Sequence, residues 1–175
     1  MKINLFSFSG EPISVICNDA GAANLIIFFL KNINNLKLYP YMEGPAEKIW
    51  NDVFPQIPIM QSLDTAINNS KLVITGTGWQ SDLEFQARLI AKKKNIKSIA
   101  IIDHWVNYKD RFIRQDITLL PDEIWVFDKY ALQIAKDEFP DTEIALKNNY
   151  YLDSMAKLSK INTQSKKPIL LYLTE

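Results

Sequence analysis

Leu72-Val73-Ile74-Thr75-Gly76-Thr77-Gly78-Trp79-Gln80-Ser81-Asp82-Leu83-Glu84 contains a strand, a glycine loop and a helix start in direct succession. The first four residues form a short apolar run bounded by turn residues, the pattern of a buried strand. Ser81 and Glu84 have the Ser-x-x-Glu spacing of a capping box. Leu83, Ala87, Ile90 and Ala91 then fall at i, i+4, i+7 and i+8, one face of a helix. Asp82 and Glu84 open that helix and Lys92-Lys93-Lys94 close it, the order of charge that the helix dipole favours.

The same strand-then-helix unit repeats along the chain. Strands are predicted at 13–17, 37–41, 57–60, 98–102, 123–127 and 143–146. Helices are predicted at 22–33, 45–53, 63–69, 128–139 and 151–159. The segment 22–33 is apolar almost all round, which marks a buried helix. Alternation of this kind predicts an α/β fold: a Rossmann-like three-layer α/β/α domain with a mainly parallel sheet. Residues 1–160 are assigned to this domain. Residues 161–175 read as a linker followed by an apolar strand, 169–173, that either opens a second domain or returns to the same sheet.

Composition narrows the function classes. The 175 residues are 47% hydrophobic and 23% charged, as in an ordinary globular domain. Twenty basic residues balance twenty acidic ones, which argues against affinity driven mainly by nucleic-acid phosphates or anionic lipid. One cysteine, Cys17, excludes an intrachain disulfide and a cysteine-cluster zinc site, and one histidine, His104, excludes His-rich metal ligation. Cys17, inside an apolar strand, reads as an inert core residue. No metal and no cofactor are expected. No targeting signal opens the chain, and no apolar run is long enough to span a bilayer, so a cytoplasmic protein is expected.

In parallel sheets, ligands bind beyond the carboxyl ends of the strands. Three loops there hold candidate site residues. In Asn18-Asp19-Ala20-Gly21-Ala22-Ala23-Asn24, Gly21 stands alone, so the three-glycine dinucleotide fingerprint is absent. Asp19 either caps the helix or binds a sugar hydroxyl, with Gly21 and Asn24 beside it. In the second loop, Thr77, Gly78 and Ser81 can cradle a phosphate or hydroxyl, and Trp79 offers a flat face to a sugar or base. Its other reading is a turn with Trp79 as a lid over the core.

The third loop is Asp103-His104-Trp105-Val106-Asn107-Tyr108-Lys109-Asp110-Arg111-Phe112. His104 beside Asp103 can act as a general base. Trp105, Asn107 and Tyr108 would line the ligand, and Arg111 would neutralise a phosphate. A strand-end histidine held by hydrogen bonds is the alternative.

These loops, with Pro121-Asp122-Glu123-Ile124-Trp125-Val126, resemble the N-terminal half of a GT-B type glycosyltransferase. The best match is to bacterial proteins encoded with surface-polysaccharide genes. The wider resemblance is to sugar-nucleotide 2-epimerases and CDP-glycerol glycerophosphotransferases. It implies that His104 faces a cleft between two domains as base or transition-state partner, with Gly21 near the acceptor. It further implies a sugar or sugar-phosphate ligand here, and a donor nucleotide sugar held only with a second, C-terminal domain. Catalysis is expected to need that domain. A non-catalytic α/β binding or assembly module is the competing expectation, and a homo-oligomer is compatible with both. A flavodoxin-like nucleotide binder ranks last, because no hydroxyl-rich loop follows the first strand.

Overall fold

The computed structural model describes residues 10–158. The predicted linker and strand at 161–175 lie outside the described residues.

Six of the seven predicted strands form one sheet, every pairing parallel. In chain order they are β1 (Pro12–Cys17), β2 (Lys37–Met42), β3 (Leu72–Thr75), β4 (Lys97–Ile101), β7 (Glu123–Val126) and β8 (Glu143–Leu146). The two-residue strands β5 (Ile113–Arg114) and β6 (Ile117–Thr118) make a separate antiparallel hairpin. The sheet order is β2-β1-β3-β4-β7-β8. Strands β1, β3, β4 and β7 are buried on both faces, which is why their centres read as apolar runs, with Ser14 of β1 admitted because its hydroxyl donates to Ala66 O.

Helices cover both faces. α1 (Ala20–Leu30), α2 (Gly44–Val53) and α6 (Tyr150–Leu158) lie on one side, where Trp50, Phe29 and Trp125 fill the largest part of the core. α3 (Leu63–Asn68), α4 (Leu83–Lys93) and α5 (Lys129–Glu138) lie on the other. α1 touches α2 and α6 as well as the sheet, so its nearly uniform apolarity follows from its being enclosed. The three-layer architecture is therefore that of a Rossmann-like α/β/α domain.

One expectation needs correction. Ile57 to Met60 is not a strand: Met60 N–H bonds Pro40 O at 2.8 Å, and no ladder follows. Pro58 has no N–H to donate, and Pro40 on edge strand β2 has none either, so continuous pairing is chemically blocked. The polar and aromatic stretch 103–118 contains a 3-10 turn (Asp110–Phe112) and the β5–β6 hairpin.

The order places β1 between β2 and β3, so successive crossovers from β1 leave in opposite directions. That switch point lies at the carboxyl ends of β1 and β3, where a crevice opens. Among the described residues, no helix is long and apolar enough to cross a membrane.

Candidate functional site

At the switch point the first loop is built by Asp19. Its backbone is extended and its Oδ1 accepts from Ala22 N–H at 2.9 Å, capping α1. Two glycines let neighbouring chain segments approach it. A Cβ at Gly78 would stand 2.9 Å from Asp19 Oδ2, and a Cβ at Gly21 would overlap Asp103 Oδ2. Glycine at 21 and 78 is thus a steric requirement of three loops meeting.

The capping box expected at Ser81 and Glu84 does not form. Ser81 Oγ accepts from Leu83 N–H, Asp82 takes the cap position, and Glu84 turns inward. Glu84 is 0% exposed and its Oε1 accepts from Asn18 N–H at 2.8 Å. A donor at the end of β1 has outcompeted the local one, since Asn18 N–H there has no ladder partner to satisfy it. Burial pushes the Glu84 carboxyl up to about 7, against the opposing pull of that amide. Burial also raises Asp19 and pushes the Cys17 thiol well up, with the carboxylates of Asp19, Glu84 and Asp103 adding to the thiol's shift.

Arg111 ties the second and third loops together. It is 6% exposed, bonds Asp103 Oδ1 at 3.2 Å, and reaches Val106 O at 3.2 Å and both oxygens of Thr77 at 3.4 Å. Thr77 in turn donates its hydroxyl to Ile101 O at 2.9 Å. Arg114 donates to Gly78 O at 2.8 Å and to Asp82, holding the outer part of the glycine loop. Trp79 lies across the Arg111 guanidinium at 5.6 Å and is 51% exposed, so it is a surface platform and not a lid over the core.

His104 is exposed. Its Nδ1 accepts from Trp105 N–H at 3.0 Å, while Asp103 is engaged with Arg111. Trp105 is 59% exposed, and its indole N–H bonds Asp128 Oδ2 at 2.8 Å.

Two hollows meet at Gly21, Asp103 and His104. One, of about 500 Å³, is the more polar of the two and is lined by Asn18, Asp19, Gln80, Arg111 and Trp79. The other, of about 390 Å³, is mostly apolar and runs from Leu25 past Trp105 to Phe127 and Leu152.

A scan against protein-family models and a search of curated proteins return no match. The site therefore has to be judged on its own geometry. Asp19, Gly21, Gly78, Trp79, Asp103, His104, Trp105 and Arg111 come together around the two hollows. Tyr108 does not: it is buried against Phe139, with its hydroxyl directed to Ala131 O at 3.4 Å. Thr77 is fully buried and serves the loop itself. Asn24, Ser81 and Asn107 line neither hollow, and Asn107 instead takes a left-handed backbone at φ 58. Arg111 borders the polar hollow with its guanidinium paired to Asp103. Glu84, Asn18 and Gln80 were missed. Glu84 carried only the signal of a helix cap, a local pattern that a contact 66 positions away overrides.

Proposed function

We propose that the carboxyl-edge cleft binds a sugar or sugar phosphate as the acceptor side of a GT-B type transferase or sugar-nucleotide epimerase relative. The setting proposed is bacterial surface-polysaccharide synthesis, with the donor nucleotide sugar held by a second domain. The observation that carries this reading is the pair of half-exposed tryptophans, Trp79 and Trp105, set on either side of the polar groups Asp19, Asp103 and His104. Indole faces take the apolar C–H face of a sugar ring, and fixed carboxylates take its hydroxyls.

The role of His104 follows from its hydrogen bond. With Nδ1 accepting an amide N–H, the neutral ring carries its proton on Nε2. Nε2–H is then a donor towards the ligand: it steadies a phosphate or a developing negative charge instead of removing a proton. This favours the transition-state-partner role over that of general base.

Titrating the full chain with monosaccharides, sugar phosphates and nucleotide sugars tests the proposal. Binding that Trp79→Ala weakens about tenfold, or about 1.4 kcal/mol, supports it. Saturating sugars with no change in tryptophan fluorescence would leave the binding or assembly module as the better reading.

A further inference from the structure

Directly beneath the polar hollow lies a group of side chains of which Asp19 alone also faces the proposed sugar site. Cys17 Sγ, a carboxylate oxygen of Asp19 and one of Glu84 all lie within 4.8 Å of one another. Cys17 and Glu84 are fully buried. The bond from Asn18 N–H to Glu84 Oε1 fixes the carboxyl group between the other two ligands in the chain. Glu84 Oε2 and Asp19 Oδ2 are buried and have no hydrogen-bond partner among the described residues. A buried carboxylate oxygen without a donor is costly unless a proton, a water or a cation meets it.

The backbone leaves room at this point. A Cβ at Gly76 would lie 3.1 Å from Cys17 Sγ and 3.3 Å from Glu84 Oε1, so any larger residue would intrude between thiol and carboxylate. Together with Gly78 over Asp19, this accounts for both glycines of the second loop.

We propose that Cys17, Asp19 and Glu84 form a binding site for one divalent transition-metal ion of the zinc(II) type. A thiolate with two carboxylates suits a borderline ion, whereas magnesium and calcium take oxygen alone. On binding, the metal–sulfur bond replaces the S–H bond, and the thiol proton passes to solvent. The three anionic donors exceed the charge of the ion by one. Arg88, buried nearby with its guanidinium on Gly76 O at 3.1 Å, offsets that excess. Asp19 borders the polar hollow and gives the ion its way in, and a fourth position remains for water.

The test uses the full, metal-stripped chain titrated with cobalt(II) and zinc(II). The expected result is one equivalent bound, a thiolate-to-cobalt charge-transfer band that zinc abolishes, loss of the band in Cys17→Ala, and at least tenfold weaker binding in Glu84→Gln. X-ray absorption at the zinc edge of the unmodified chain decides the matter even if a variant fails to fold. One sulfur at about 2.3 Å with oxygens at about 2.0–2.2 Å supports the site. No bound ion at micromolar concentration, or a shell of oxygen and nitrogen alone, overturns it; the buried oxygens are then met by a proton or water.

Discussion

Glu84 Oε1 accepts the backbone N–H of Asn18 at 2.8 Å, joining the first turn of α4 to the end of β1. This single bond sets the floor of the crevice. It draws a carboxyl group under the glycine loop and fixes where Asp19 begins α1.

Glu84 makes the stability of the metal-free chain depend on pH. Glu84 has a folded pKa of about 7 against an ordinary value of 4.5. The folded state therefore binds more protons than the unfolded state between those values, and stability falls as pH rises through that window. In the metal-free chain, Glu84→Gln keeps the acceptor for Asn18 but cannot ionise. Urea unfolding with a chelator present should show the variant gaining about 3 kcal/mol relative to wild type between pH 4 and pH 8. Asp19 and Cys17, which face the same carboxyl, remain in both proteins. Parallel pH profiles would show that Glu84 is not the group responsible.

Gly21 supplies a steric prediction. Gly21→Ala forces Asp103 to move and should cost about 1–3 kcal/mol by overpacking. Adding Asp103→Ala removes the obstructing carboxylate, so the double variant should be less destabilised than the two single losses summed. Simple additivity in a thermal or urea double-mutant cycle would contradict the contact.

Arg111 is expected to be a structural cation. Arg111→Ala leaves Asp103 without its partner and Thr77 without a donor, a loss of about 3 kcal/mol, the low end for a buried pair. Arg111→Lys should recover little, because one ammonium cannot reproduce a fork bonded to three residues. Full rescue by lysine, read from the unfolding midpoint, would count against this.

His104 can be examined directly. Long-range proton–nitrogen correlation spectra of the neutral imidazole should show the proton on Nε2, as its bond from Trp105 N–H requires. A proton on Nδ1 would restore the general-base role.

Much of the layered fold was legible because central parallel strands bury both faces. Val73, Ala100 and Ile124 lie on one side of the sheet and Ile74, Ile99 and Trp125 on the other, and no polar position interrupts the runs. The order of those strands was not legible, since strand spacing does not name neighbours. At the site, position along the chain correctly brought Asp19, Gly78, Asp103 and His104 to one edge. It could not tell which way each side chain of the third loop turns. Tyr108 enters the core beside Phe139, and Arg111 turns in to Asp103, while Trp105 between the same loop ends stays outside. Glu84 was misread for a related reason: its partner comes from the other end of a crossover.

The crevice at the β1–β3 switch point is proposed to be a sugar site. The most direct measurement is chemical-shift mapping of the isotope-labelled full chain with sugar phosphates. Shifts are expected to group at Gly21, Gly78, His104 and the indole N–H groups of Trp79 and Trp105. Absence of shifts at saturation would contradict it. So would shifts confined to the hollow at Lys92, Asn95 and Asp122, at the amino ends of β4 and β7.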